Sequence, residues 1–322
     1  MNTMGLSMIF QMGCLCSKEA VYVSSDKYYI VEKIGEGGFS TVSLIEHSRT
    51  KKKFALKKII CHGREDQAHA MREIEHHKTF VHPNILPLLE HALTGCADPV
   101  LNSTSQVLMV LPYYPKGTLA HDLEMRSVCK HYMTSVDILK MFLKICDAVK
   151  VFHDAKPIAY AHRDLKTANI LLSNDKNPVV MDLGSVAAAL VKVCGSAEAQ
   201  NLQDVAAERC SMPYRAPELF HVDSYCVVDQ RTDVWSLGCL LYAMCYFKSP
   251  FDSVYERGDS VALAVISGNI TFPESSPFPQ ELHDLILFML KVTPSERPFI
   301  HSVCDNAQDL LTRLSNRDEP NA

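Results

Sequence analysis

The chain has 322 residues, a length that suits one two-lobed enzyme or two ordinary domains. Hydrophobic residues make up 47% of it, which predicts a sizeable core and excludes global disorder. The formal net charge of -5 argues against a nucleic-acid-binding protein, which would usually be basic. No apolar run in the sequence approaches the roughly 20 residues of a membrane span.

The N-terminal segment contains a pattern typical of acylation. Met12-Gly13-Cys14-Leu15-Cys16-Ser17 fits M-G-x-x-x-[ST], the myristoylation pattern, which needs Gly13 as the first residue. The motif therefore predicts translation from Met12, with Cys14 and Cys16 as palmitoylation sites that would make the anchor durable. The alternative is a leader sequence in which the match arose by chance.

The following segment is rich in predicted strands. Residues 29–31 and 41–45 are β-branched or aromatic runs that flank Gly35-Glu36-Gly37-Gly38-Phe39-Ser40. Glycines in such a turn let backbone N–H groups approach a phosphate, although most glycine-rich turns between strands are only turns.

A second strand and a helix supply two charged candidates. Residues 54–60 are predicted to form a strand that carries Ala55 and Lys57 on one face. A small residue there leaves room for a flat ring, and Lys57 can reach phosphates; the alternative is an exposed lysine on an edge strand. Residues 64–80 are predicted to form a helix, in which Glu73 either pairs with Lys57 or is solvated.

Histidines recur along this helix and just after it, at positions 69, 76, 77 and 82. Their spacing does not match a metal site, so a polar helix face is predicted. Residues 106–111 read as a buried strand that leads into a linker at residues 112–117. Beyond Thr118 the pattern becomes helical, with apolar residues recurring at helical spacing after Thr134 and Ser135.

The centre of the chain brings four polar groups close together in sequence. In the stretch from His162 to Asn169, Asp164 is a candidate base, Lys166 a cation and Asn169 a source of an amide oxygen. A second carboxylate, Asp182, follows in Met181-Asp182-Leu183-Gly184. An acid, a cation and two oxygen ligands on one loop indicate phosphate transfer through a metal.

The last third of the chain is predicted to be mainly helical. Asp233 is placed as the N-cap of a helix that is apolar nearly all round and belongs in the centre of a lobe. Further helices are predicted near residues 259–266, 280–290 and 299–314. No helix or strand is predicted for the polar, alanine-rich stretch between Gly184 and Arg209.

These motifs, taken together and in this order, resemble those of eukaryotic protein kinases. The resemblance runs from residue 28 to residue 314 and adds Ala216-Pro217-Glu218 and Arg297 to the motifs above. Within the kinases the chain is most similar to the Numb-associated kinase family, and there to a member that carries myristate and palmitate. That similarity is carried by the glycine loop, His82-Pro83-Asn84-Ile85-Leu86, Met181-Asp182-Leu183-Gly184-Ser185, Arg231-Thr232-Asp233-Val234-Trp235-Ser236-Leu237-Gly238-Cys239 and Gly258-Asp259-Ser260-Val261-Ala262-Leu263-Ala264-Val265.

The resemblance implies an α+β, two-lobed protein kinase fold, with a small antiparallel β-rich N-lobe and a larger helical C-lobe. It implies an N-terminal tail at 1–27 with the lipidation motif at 12–17, and an N-lobe at 28–111. A hinge at 112–117, a C-lobe at 118–314 and a C-terminal tail at 315–322 would follow.

The resemblance also implies a role for each matching residue. Asp164 would orient the substrate hydroxyl, Lys166 would neutralise the γ-phosphate, and Asn169 and Asp182 would hold Mg²⁺. Lys57, positioned by Glu73, would hold the α- and β-phosphates of ATP. The remaining nucleotide contacts would come from the glycine loop, the adenine pocket, the gatekeeper and the hinge: Ile34, Gly35, Glu36, Gly37, Gly38, Phe39, Val42, Ala55, Leu111, Tyr113, Tyr114 and Leu171.

The implied function is an ATP- and magnesium-dependent serine/threonine protein kinase, monomeric and autophosphorylating, with protein substrates and no nucleic-acid partner. Lys166 and Ser211 favour serine and threonine, and they do not exclude tyrosine. A phosphate near Arg163 would come from Ser211 or from residues 196–209.

The acylation motif indicates a membrane surface, and the resemblance implies which membrane it would be. The protein would act on the cytosolic face of Golgi or perinuclear endomembranes, in membrane trafficking or secretory-pathway signalling, if translation starts at Met12; otherwise it would be cytoplasmic. The alternative is a pseudokinase scaffold, which retention of Lys57, Asp164, Asn169 and Asp182 disfavours. A Rossmann or P-loop module is disfavoured because G-x-x-x-x-G-K-[ST] is missing.

Overall fold

The computed structural model describes residues 19–38, 40–98 and 103–318. Its N-terminal part contains six strands: β1 Ala20–Val23, β2 Asp26–Glu36, β3 Ser40–His47, β4 Lys53–Cys61, β5 Glu90–Asp98 and β6 Ser103–Pro112. They form one sheet in the order β1-β2-β3-β4-β6-β5, and every pair of neighbours is antiparallel. Helix α1, Arg64–Thr79, packs on this sheet through Ala70 and Ile74, which are buried with Val107 and Met109 of β6.

Helices dominate the rest of the chain. They are α2 Leu119–Cys129, α3 Ser135–His153, α4 Ser196–Arg209, α5 Arg231–Tyr246, α6 Asp252–Glu256, α7 Val261–Ser267, α8 Gln280–Met289 and α9 Ile300–Asp318. Short strands form three two-stranded ribbons: β7 Tyr160–Ala161 with β10 Ala187–Ala188, β8 Ile170–Leu172 with β9 Pro178–Val180, and β11 Val191–Cys194 with β12 Tyr225–Val228. The expected two-lobed α+β fold is therefore confirmed.

Helix α5 lies at the centre of the larger lobe. Trp235 and Leu237 are completely buried, as the nearly all-apolar pattern of this helix predicts. Gly238 lets the end of α8 approach closely, because a Cβ atom at this position would lie 2.7 Å from Cδ2 of Leu290. The adjoining helices and the ribbon β8–β9, whose first strand follows the loop of residues 162–169, complete the same core.

The element boundaries differ from the predictions in several places. Residues 20–27, expected in the N-terminal tail, form β1 and the start of β2, because Val23 is buried against Tyr28 and Ile45. At the other end, α9 continues to Asp318 instead of stopping at residue 314. Sequence reasoning also missed β5, α4 and the ribbon β11–β12. Among the helices within the described ranges, none combines the length and apolar composition needed to cross a bilayer.

Candidate active site

Lys57 connects three elements at the junction of the lobes. The residue lies in the middle of β4. Its Nζ donates to Oε1 of Glu73 on α1 at 2.7 Å and to Oδ1 of Asp182 at 3.1 Å. Glu73 is only 4% exposed, so it pairs with the lysine and is not solvated. The sequence left open whether Glu73 pairs with Lys57 or is solvated, and the structure shows the ion pair.

The charges of this triad stabilise one another. Burial alone would lower the pKa of Lys57, but the carboxylates of Glu73 and Asp182 raise it above the ordinary lysine value. Lys57 in turn lowers the pKa of Asp182. Burial would raise the pKa of Glu73, whereas Lys57 and His77 hold it below the ordinary value. All three members of the triad are therefore charged at neutral pH.

Two histidines of α1 correct the prediction of a polar helix face. His77 is buried, donates from Nδ1 to the carbonyl oxygen of Leu86 at 2.8 Å, and places Nε2 3.8 Å from Oε1 of Glu73. His76 donates from Nδ1 to the carbonyl oxygen of Leu183 at 3.2 Å. Both rings therefore fasten α1, and with it Glu73, to segments outside the helix.

The loop of residues 162–169, which we call the catalytic loop, brings Asp164, Lys166 and Asn169 together, as the sequence predicts. Oδ2 of Asp164 lies 2.9 Å from Nζ of Lys166 and accepts from Nδ2 of Asn169 at 3.0 Å. Oδ1 of Asp164 accepts from the backbone N–H of Ser211 at 2.9 Å, and Lys166 donates to the Ser211 hydroxyl at 2.6 Å. Ser211 therefore contacts the loop from the segment that precedes Ala216-Pro217-Glu218.

Asp233 holds this loop in place and is not the N-cap that the sequence predicted. The helix begins two residues earlier, at Arg231, so the Asp233 carboxylate lies inside the first turn. It accepts from the backbone N–H groups of His162 at 2.7 Å and Arg163 at 2.8 Å, and from Nε2 of His153 at 3.0 Å. These bonds stabilise Arg163 in the left-handed conformation, with φ at 67°.

A second charged contact anchors the end of the segment. Arg297 is 2% exposed and forms a bidentate pair with Glu218, with N–O distances of 2.8 Å and 2.9 Å. The guanidinium carbon lies 5.4 Å from the centre of the Trp235 ring. The pair connects the loop before α9 to the Ala216-Pro217-Glu218 motif and the central helix.

Two adjoining cavities open around the Lys57 triad. The first, of about 510 Å³, is walled by side chains from both lobes, including Val42, Ala55 and Leu171. The second, of about 880 Å³, extends from the triad past Asp164 and Lys166 toward α4. A mostly apolar slot that ends at a charged triad suits a flat heteroaromatic ring joined to phosphates.

Most of the predicted nucleotide contacts line the first cavity. They are Ile34, Gly35, Glu36, Gly37, Val42, Ala55, Lys57, Glu73, Leu111, Tyr113, Tyr114 and Leu171. Gly38 lines the second cavity instead, and Phe39 lies outside the described residues. Sequence reasoning missed Leu86, Met181 and His77 in the first cavity, and for the first two their apolar character next to the named motifs was the available signal.

The residues predicted to hold magnesium fit a hard cation. The Asp182 side chain is 41% exposed toward the cavities, and its carboxylate supplies oxygen ligands. Asn169 uses its amide nitrogen on Asp164, at the backbone carbonyl and the carboxylate, which leaves the amide oxygen available. Mg²⁺ is usually held by one or two carboxylates together with substrate phosphates, which is consistent with this donor set.

The predicted lipidation sites Gly13, Cys14 and Cys16 lie outside the described residues. Acylation therefore stays a prediction from the sequence.

Comparison with known proteins places these features in a family. The family model described as "Protein kinase domain" matches residues 28–307. The chain is 44% identical over 287 residues to serine/threonine-protein kinase 16 of Rattus norvegicus, an alignment that covers 89% of this chain and 91% of the relative. The proteins of the same name from Mus musculus and Homo sapiens are 45% and 44% identical with the same coverage.

Proposed function

The chain belongs to the protein kinase family, as a serine/threonine protein kinase, and from this premise we propose an ATP- and magnesium-dependent mechanism at an acylated membrane anchor. The observation that carries the catalytic part is the Lys57 triad beside Asp164. Lys57 has three N–H donors and gives two of them to Glu73 and Asp182, so one remains for a phosphate oxygen.

Each residue of the site has a defined task in this proposal. Asp164 orients the serine or threonine hydroxyl and accepts its proton, and Lys166 neutralises charge on the phosphate in transfer. Asn169 and Asp182 would hold Mg²⁺, which would supply positive charge to screen the phosphate oxygens. Catalysis rests on positioning and charge stabilisation, so no covalent enzyme intermediate is expected.

A scaffold without phosphotransfer is the competing function. The intact triad and the contacts of Asp164 disfavour it, because a scaffold has no need of an ordered base next to a cation. The test is transfer of labelled γ-phosphate to a generic basic protein by wild type, Asp182→Asn and Asp175→Asn. Asp175 is an exposed residue of the turn between β8 and β9 and serves as the matched control.

We expect transfer by wild type and by Asp175→Asn, and a loss of about a thousandfold in Asp182→Asn, since a metal ligand contributes several kcal/mol. Label on the kinase itself would support autophosphorylation, and phosphoamino-acid analysis would separate serine and threonine from tyrosine. Transfer unchanged in Asp182→Asn would refute the site, and no transfer by any form would favour the scaffold.

The second part of the proposal concerns location. We propose that Gly13 is the mature N-terminus, with a myristoyl group on Gly13 and palmitoyl groups on Cys14 and Cys16. One chain gives marginal membrane binding and a second makes it durable, so the cysteines matter as much as the glycine. The monomeric kinase then acts on the cytosolic face of Golgi or perinuclear endomembranes, in trafficking or secretory-pathway signalling.

Mass spectrometry of the native N-terminal peptide tests the anchor, and an unmodified peptide that begins at Met1 would refute it. Imaging beside a Golgi marker tests the location. We expect Gly13→Ala and the double replacement Cys14→Ser with Cys16→Ser to become diffuse. A wild-type pattern in both variants would contradict the proposal.

A further inference from the structure

A basic and aromatic surface covers one end of the N-terminal sheet. The turn between β3 and β4 presents Arg49, Lys51 and Lys52, and β4 begins with Lys53; all four are exposed, and β2 adds Lys27 beside them. The backbone N–H of Ser48 donates to the carbonyl oxygen of Lys27 at 2.9 Å, which holds the two segments together. We call this group, with the two tyrosines described next, the tip surface.

Two tyrosines lie among these cations. Nζ of Lys27 is 5.7 Å from the ring centre of Tyr22 and 5.2 Å from that of Tyr29. Nζ of Lys51 lies 5.8 Å from the Tyr29 ring, and Tyr22 is 62% exposed. Tyrosine beside lysine and arginine is a typical combination at the level of lipid headgroups, where one end of the ring is apolar and the other is wet.

The tip surface is basic even after its ion pairs are considered. Asp26 accepts from Arg49 at 2.9 Å, and Glu46 lies 3.3 Å from Lys51. Lys27, Lys52 and Lys53 have no carboxylate within ion-pair distance among the residues that the structure describes. Five cations against two carboxylates stand out in a chain whose net charge is -5.

The chain enters the fold at this surface. Register pairs Ala20 of β1 with Tyr29 of β2, and Tyr22 with Lys27. Gly13 precedes Ala20 by seven residues, which can span at most about 25 Å at 3.3–3.6 Å per residue. An acyl group on Gly13 would therefore keep Ala20, which pairs with Tyr29 of the tip surface, within about 25 Å of the bilayer.

We propose that the tip surface is a second membrane contact, which binds anionic lipid headgroups and orients the kinase on the bilayer. The proposal rests on the acyl anchor of the proposed function. The anionic leaflet attracts basic segments near the anchor, and this attraction adds to the acyl chains that hold the protein. The occupant is the anionic leaflet itself, since five cations on one face suit an extended negative surface better than a single small anion.

The test is cosedimentation of the acylated chain, made in cells, with vesicles of phosphatidylcholine alone or mixed with phosphatidylserine. We expect wild type to prefer the phosphatidylserine vesicles, and to lose this preference at high salt. Replacing Lys51, Lys52 and Lys53 by Gln should weaken binding to these vesicles about a hundredfold, at about fivefold per charge, and leave binding to phosphatidylcholine unchanged.

The matched control replaces three exposed lysines of the larger lobe, Lys140, Lys192 and Lys291, by Gln. It removes the same charge, and we expect it to bind like wild type. Equal binding of wild type to both vesicle types, or an equal loss in the control, would overturn the tip surface and leave the acyl anchor standing. The Gly13→Ala variant tests the anchor separately. If it binds like wild type while the Lys51, Lys52 and Lys53 variant still loses the phosphatidylserine preference, the anchor is wrong and the tip surface is supported.

Discussion

The Arg297 and Lys57 networks both join a cation to carboxylates inside the described part of the chain, and they differ in the number of N–H donors that the cation has left for a ligand. Arg297 gives its N–H groups to both oxygens of Glu218 and to the carbonyl oxygens of Lys291, Arg231 and Val292. Its side chain has no measurable exposure and that of Glu218 is 14% exposed, so the guanidinium itself is closed to solvent and to ligands. A network of this kind fixes one arrangement of the chain.

The Lys57 network is open in comparison. Its lysine side chain is 16% exposed, and its partner Asp182 is 41% exposed. A lysine ammonium is a compact charge with rotatable donors, whereas the planar guanidinium of Arg297 suits bidentate pairing. The comparison indicates that a cation paired with carboxylates can take part in catalysis when one of its N–H donors remains free. When all of its N–H donors are used, as in Arg297, the pair contributes to stability instead.

Lys57→Met should have the largest effect on activity. Removal of the cation that we propose contacts the phosphates should lower kcat/KM for ATP by about a hundredfold to a thousandfold, in the range found for a lost charge-stabilising donor. Lys58→Met is the matched control, because adjacent residues of a strand point to opposite faces. A loss below tenfold in steady-state phosphotransfer would contradict the role of Lys57.

Arg297→Leu should have the largest effect on stability. It leaves the Glu218 carboxylate without its partner and should lower the free energy of unfolding by about 3–5 kcal/mol. Urea unfolding measures this loss, with exposed Arg313→Leu as the control. If Arg297→Leu unfolds like wild type, the closed network is not a stabilising one. Activity per folded molecule should stay within a few-fold of wild type, unlike that of Lys57→Met.

His77→Leu should have an intermediate effect on catalysis. It leaves the carbonyl oxygen of Leu86 without its donor and loosens Glu73, so kcat/KM for ATP should fall about tenfold, the value of one lost hydrogen bond. His77→Asn keeps an amide donor near the position of Nδ1 and should restore most of the activity. Equal activity of the two variants would show that the ring only fills space. Glu75→Gln, at an exposed site on the same helix, is the control.

The smallest effect concerns pH. Burial lowers the pKa of His76 and His283 below 6.5, so below that pH the unfolded chain binds protons that the folded chain does not. The contribution of these histidines to stability should therefore be fully present above the ordinary histidine pKa and be lost progressively as the pH falls below it. Replacing His283, which stacks on Phe272 at 4.1 Å, by Gln should flatten part of this slope in urea unfolding. An identical slope in the variant would contradict the assignment.

The parts of the site that sequence could predict are those that lie close together along the chain. Asp164, Lys166 and Asn169 fall within one short loop, so their meeting needs no knowledge of tertiary structure. The strand pattern around Lys57 predicted that its side chain lies on the same face as Ala55. Whether Lys57 met Glu73 stayed open, because that contact depends on how α1 packs on the sheet.

The failures among the polar residues around the site share one physical cause, which is burial of their side chains by distant segments. His76 and His77 belong to a helix whose charged composition suggests solvent, and only the partners Leu183 and Leu86 make them interior residues. Aspartate is a typical N-cap residue, but the Asp233 carboxylate accepts hydrogen bonds from a loop that lies 70 residues earlier in the chain. Sequence patterns predict the interactions of a residue with its neighbours along the chain, whereas the hydrogen-bond partners of His76, His77 and Asp233 are distant in sequence.

The attachment of the catalytic loop to α5 also has a consequence for hydrogen exchange. The amide protons of His162 and Arg163 are donated to a carboxylate with no solvent exposure, carried by the central helix of the core. They should exchange only when the whole lobe unfolds, although loops as a class exchange quickly. In the glycine-rich turn, the N–H of the exposed Gly37 donates to the carbonyl oxygen of Ser40 at 2.8 Å, in a solvent-facing part of the chain, and should exchange early. A deuterium time course would then show a protected loop facing an unprotected lid across one cleft.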